Sequence, residues 1–194
     1  MRGPRVVLWS LAGLVAFSGA EAEIINVPLA GLNGVYTCQP SPSRTAVFTL
    51  RSVPVVVRSV SIKLSGETTV RQWFCDLDPP FDLPVTLYAA IPDPLTGGVW
   101  YTYGVAAPVT GPFEIERRFV PYAPEYFGQP TWDFLRTGGN VGVYGGGAPI
   151  IDICWSIGEL SSATVTSASL LIDGDFPIPV EPTTWGHIKS LFGE

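Results

Sequence analysis

Glu114 and Glu116 stand two apart in "PFEIERRF", residues 112–119. On a strand that spacing puts both carboxylates on one face, where paired acids can serve glycosidic cleavage. Arg117 and Arg118 follow at once, and such a mixture of signs reads instead as a strand face in water. The chain has one histidine, His187, close to the C-terminus. A Ser–His–Asp or Cys–His device therefore lacks a base on a rigid scaffold. Multi-histidine zinc or iron sites are excluded by number. Asp76, Asp78 and Asp82 in "CDLDPPFD", with Asp173 and Asp175 in "IDGD", offer oxygens that calcium could use. They lack the glycine and the every-second-residue ligands of an EF-hand loop, so Asp turn chemistry is the simpler reading. The glycines of "GGNVGVYGGG" have no following Lys, and a strand rather than a helix comes next, so they make no phosphate loop. The chain reads as a non-enzyme without a cofactor or metal.

Two other residue classes carry more. Of Cys38, Cys75 and Cys154, the last two sit near Trp in apolar runs, "WFC" and "ICW". A Cys75–Cys154 bridge is the preferred pairing, with Cys38–Cys75 as the alternative. No two cysteines stand three apart, which removes zinc knuckles and thioredoxin-type pairs. In "VWYTYGV", Tyr101 and Tyr103 share a strand face and Trp100 takes the other, the two tyrosines standing about 7 Å apart. Exposed, they would make a stacking platform for sugar rings. "VPYAPEYFGQPTW" adds Tyr122, Tyr126, Phe127 and Trp132 in a stiff, Pro-rich loop beside it. The competing reading buries one row in the core and uses the loop aromatics to cap an open end.

These residues need a scaffold and a compartment. Arg2 and Arg5, the apolar run Val6 to Phe17, and the small residues of "SGAEA" read as a secretory signal peptide. Cleavage falls after Ala20 or, preferably, after Ala22. The run is shorter than the roughly 20 residues that span a bilayer, and no later segment is long and apolar enough to do so. The mature protein is thus expected outside the cytoplasm, with no transmembrane segment. Removing residues 1–22 takes away Arg2, Arg5 and Glu21, so 11 basic and 17 acidic residues become 9 and 16, and the net charge goes from −6 to −7. An acidic surface is a poor partner for nucleic acid or anionic lipid.

Short β-branched and alternating runs recur along the body, separated by "DPP", "PDPLTGG", "TGP" and "TGGN". Helical periodicity is nearly absent. Such punctuation predicts an all-β fold, an antiparallel β-sandwich of jelly-roll type. Residues 131–135, "TWDFL", are among the expected strands. The phrase "VRSVSIKLSGE" (57–67) returns as "VTSASLLIDGD" (165–175). Each copy puts an apolar row on one face (Val60, Ile62, Leu64; Ala168, Leu170, Ile172) and small hydroxyls on the other. Each ends in Gly plus an acid, read as a turn out of the sheet. Two strands of equal burial demand are expected in one sheet, as neighbours or nearly so. The expected organisation is a signal peptide over 1–22, a β-sandwich over 23–175, a Pro-rich connector over 176–182 and a short amphipathic tail helix over 183–194. In that helix Trp185, Ile188 and Phe192 share a side and need a docking partner.

The tail carries a resemblance. "TTWGHIKSLF", residues 183–192, resembles the ending Thr-Trp-Gly-x-Ile-Lys-x-Leu-Phe or -Tyr found in secreted bacterial proteins. The resemblance implies export and brings no activity with it. Val180–Glu181–Pro182 departs from Pro-Glu-Pro sorting tails, because the apolar span and basic end are missing. The expected function is a secreted, non-catalytic module that binds carbohydrate at the cell surface. The alternative is a structural or adhesive surface protein docked through its tail to a surface or secretion component.

Overall fold

The computed structural model describes residues 20–39, 43–50, 52–75, 78–147, 154–156 and 160–177. The protein is all-β, and every strand pairing among the described residues is antiparallel. The strands are β1 (Ala20–Pro28), β2 (Gly34–Thr37), β3 (Arg44–Phe48), β4 (Val56–Thr69), β5 (Arg71–Cys75), β6 (Asp78–Leu83) and β7 (Thr86–Pro92). They continue as β8 (Val99–Val105), β9 (Gly111–Arg118), β10 (Val120–Tyr122), β11 (Gly139–Gly146), β12 (Cys154–Ser156) and β13 (Ser162–Pro177). One sheet runs β1-β13-β4-β9, with β2 also pairing β13; a second runs β10-β8-β7-β11-β3; a small third runs β12-β5-β6.

The repeated phrase sits on β4 and β13, and the two copies pair with each other. Ile62 lies opposite Leu170, Leu64 opposite Ala168, and Val60 opposite Ile172. The sixth residue of each copy faces the sixth of the other, so a local two-fold axis passes between Ile62 and Leu170. A phrase laid antiparallel on its own copy puts the apolar inward rows opposite each other, while on the outer face Ser65 meets Ser167, Lys63 meets Ser169 and Ser59 meets Asp173. The expected turns at "SGE" and "DGD" do not form. Both strands run straight through, and the register slips by one residue between Val165 and Ser167 and again between Asp173 and Gly174. Gly66 then lies opposite Val165, and Gly174 opposite Val57, the first residue of the other copy in each case. A Cβ on Gly66 would stand 1.9 Å from the Thr164 carbonyl oxygen, and one on Gly174 would stand 2.4 Å from that of Val56. The glycines are there because a bulge brings backbone against backbone.

Val60, Ile62, Leu64, Leu170 and Ile172 of the first sheet share one core with Leu87, Ala89, Ile91, Val141 and Val143 of the second. Fully burying each of these side chains larger than alanine contributes about 1.5–3 kcal/mol, an upper figure because unfolded chains also bury surface.

Other expectations are corrected. Residues 131–135 make no strand; Asp133–Thr137 is a 3-10 turn. It buries the adjacent Phe134 and Leu135 together, which one face of a strand cannot do. "DPP" lies in β6 rather than in a turn; β6 is an edge strand, where a missing N–H costs no ladder bond. The loop expected from residue 120 begins as β10. Strand β1 starts at Ala20, and Ala20, Glu21 and Ala22 pair with Pro177, Phe176 and Asp175. The tail with Trp185, Ile188 and Phe192 lies outside the described residues.

Candidate functional site

The outer faces of the two large sheets differ in kind. On the first, Lys63 Nζ meets Glu114 Oε1 at 2.9 Å, and Arg58 Nη2 meets Asp173 Oδ1 at 2.7 Å while its other branch reaches Asp175. Glu114 and Glu116 share this exposed face with those cations. They form part of a charged ladder.

The second sheet is aromatic. Leu87 and Ala89 point inward, so Tyr88 between them points out; the buried Val143 and Gly145 do the same for Tyr144, and Thr102 and Gly104 for Tyr103. Register lines these up. Tyr103, Tyr88 and Tyr144 stand opposite one another across β8, β7 and β11. Ring centroids are 6.0 Å apart for Tyr88–Tyr103 and 4.9 Å for Tyr88–Tyr144, the latter within 8° of parallel, an offset stack. Tyr101 lies 6.4 Å from Tyr88 and 5.3 Å from Tyr122, which β10 brings in. Tyr103 is 58% exposed, Tyr122 50% and Tyr144 38%.

Opposite Tyr101 stand two residues that rise little above the sheet, Ala90 and then Gly142. They leave a groove of about 280 Å³ lined by Ala90, Val99, Tyr101, Tyr122 and Tyr144. A Cβ on Gly142 would meet nothing closer than 4.0 Å. A larger groove of about 540 Å³ between β1 and Thr49, Leu50 and Ser52 has no aromatic ring among its described lining residues.

Burial, then the neighbouring phenols, pushes the Tyr101 hydroxyl up to about 12. Burial and then Tyr88 and Tyr122 also raise Tyr144. Both hydroxyls stay neutral and can donate as well as accept hydrogen bonds over the ordinary pH range. The same displacement predicts alkaline sensitivity. Between the unfolded value of 10.0 and about 12, the unfolded chain has lost a proton that the folded chain keeps, so stability falls as pH rises through that window. Denaturant midpoints measured across it should drop, and Tyr101→Phe should flatten the drop.

Of the residues singled out in the sequence, Tyr101 and Tyr103 do share the outer face, 6.0 Å apart and tilted by 36°. Trp100 and Trp132 do not join them. They stack on each other at 3.7 Å and 13° and pack against the core. Asp93 sets that pair in place. Its carboxylate accepts the backbone N–H of Leu95 (2.8 Å), Thr96 (3.3 Å) and Thr131 (2.7 Å), and the Thr96 hydroxyl (2.9 Å). Trp100 Nε1 donates to the Thr131 carbonyl at 3.4 Å. Burial pushes the Asp93 carboxyl up, but the hydrogen bonds outweigh it and hold the group below the ordinary carboxylate range. Tyr126 lies on the short helix Pro124–Phe127 and is 80% exposed. Tyr88 and Tyr144 went unrecognised in the sequence. Each alternates with buried neighbours in "LYA" and "VYG", but only register shows that they join Tyr101 and Tyr103.

No family model matches the chain, and no curated protein matches it. Among solved structures, it is similar to a CocE/NonD family hydrolase from Staphylococcus aureus at 10% identity and TM-score 0.32, over 79% of this chain and 37% of that one. It is also similar to a presumed glycoside hydrolase from Bacteroides thetaiotaomicron at 10% identity and TM-score 0.27, over 71% of this chain and 41% of that one. The chain spans about two fifths of the length of each.

Proposed function

We propose that the protein is a secreted, non-catalytic β-sandwich module of jelly-roll type that binds a neutral glycan on its tyrosine face. The observation that supports this reading is five tyrosines gathered on one uncharged sheet surface around a groove with a small-residue floor. Sugar rings have apolar C–H faces and polar rims. Aromatic faces take the first, and phenolic hydroxyls take the second. An uncharged surface selects against anionic polysaccharides, which the net negative charge of the chain also repels.

Calorimetric titration with neutral β-linked oligosaccharides tests this, with an anionic polysaccharide as control. Tyr101→Ala and Tyr144→Ala should each weaken binding about tenfold, the loss of roughly one stacking contact with its hydrogen bond. Gly142→Leu should fold normally, because the space is open, yet block the groove. The alternative, a structural or adhesive surface protein, draws on the exposed Val47, Val105 and Val120 of the same sheet. Absence of heat with every glycan, together with self-association that Tyr101→Ala abolishes, would establish that alternative.

A further inference from the structure

Cys75 closes β5 and Cys154 opens β12, and the register places Cys154 opposite Cys75, Trp155 opposite Phe74 and Ser156 opposite Trp73. Opposed residues of an antiparallel pair have Cα atoms about 4.5 or 5.5 Å apart and share a face of the sheet. A disulfide spans roughly 4.4–6.8 Å between Cα atoms. The chain has three cysteines, and the third is accounted for. Cys38 is a free, fully buried thiol whose backbone N–H bonds the Ser161 carbonyl at 3.0 Å.

From this juxtaposition we infer that Cys75 and Cys154 form a cross-strand disulfide in the mature protein. The bridge fastens a strand of three residues whose sheet shares no strand with the other two. It links chain positions on either side of β7 to β11, the strands that carry the tyrosine face. The oxidant is a disulfide compound, either glutathione disulfide or a disulfide-bearing oxidoreductase. One cysteine thiolate attacks that disulfide, forming a mixed disulfide and expelling one thiol. The second cysteine thiolate attacks the mixed disulfide, forms the Cys75–Cys154 bond and expels the other thiol. Two protons and two electrons pass to the oxidant. Such a bond persists outside reducing compartments.

The experiment uses the full chain, folded and fully reduced, equilibrated with glutathione disulfide, quenched with acid and alkylated after denaturation. Intact mass and peptide mapping should show the loss of two hydrogens, Cys38 as the one alkylated cysteine, and the Cys75 peptide joined to the Cys154 peptide. Cys38→Ser should form the same bridge. Three alkylated cysteines, glutathione retained on Cys75 or Cys154, or a bridge containing Cys38 would each overturn the inference. Glycan binding does not enter this readout, so its outcome is independent of the proposed function.

Discussion

Gly66→Ala is expected to lower the stability of the protein by about 3 kcal/mol, at the upper end of what overpacking costs. The new methyl carbon would sit 1.9 Å from the carbonyl oxygen of Thr164 and 2.9 Å from its carbon. Both obstacles are backbone of the neighbouring strand, so no rotamer change relieves the clash. Either the β4–β13 ladder opens at the bulge, or the strand shifts its register and turns Val60, Ile62 and Leu64 toward solvent. Gly174→Ala, at the mirror position, should cost less, since its nearest obstacle is 2.4 Å away. Ser65→Ala, on the outer face beside Gly66, should stay within about 0.5 kcal/mol of the parent. Guanidinium denaturation of the three variants checks the ranking. A Gly66→Ala midpoint equal to that of Ser65→Ala would mean that the strand pairing is misassigned.

Asp93→Ala should cost about 3–4 kcal/mol. Asp93 is 1% exposed, and its removal strands three backbone N–H groups and one hydroxyl, each costing about 1–3 kcal/mol where it remains buried. The total stays below the sum because the loop can relax toward water. Asp93→Asn keeps one oxygen and should cost about half as much. The pH profile separates charge from shape. Because the folded carboxyl is held below its ordinary value, the folded chain binds fewer protons than the unfolded chain just below pH 3.8. The stabilisation is therefore complete above that value and disappears as pH falls through the folded pKa. Asp93→Asn should flatten this acid limb. Tryptophan fluorescence should report the same loss, since the Thr131 bond holds Trp132 on Trp100.

The strand-rich class was legible because inward and outward rows alternate along β4, β7, β9 and β13. The twin phrases announced a shared burial demand, and their pairing followed from it. Bulges were not legible: "SGE" and "DGD" satisfy the chemistry of a turn equally well, and only the neighbouring backbone distinguishes the two. The 3-10 turn at Asp133–Thr137 was hidden in the same way, because five residues are too few to display a helical period. Alternation showed that Tyr101 and Tyr103 share a side. It did not show that Tyr88 and Tyr144 stand in the same cross-strand row, because register is a relation between distant segments. Alternation put Trp100 on the face of β8 opposite the tyrosines; that Trp132 stacks on it there was not legible, because Asp93 fixes the distant Thr131 backbone beside that strand.

The place of β13 decides when this chain can fold. Its two edges are taken by β1 and β2 on one side and β4 on the other, so β1 and β2 have no strand partner among the described residues until β13 follows. Strands β4 and β9 can pair without β13, but the pairings of β1 and β2 with β13 have to bridge most of the described chain, which belongs to the slow, non-local class of folding reactions.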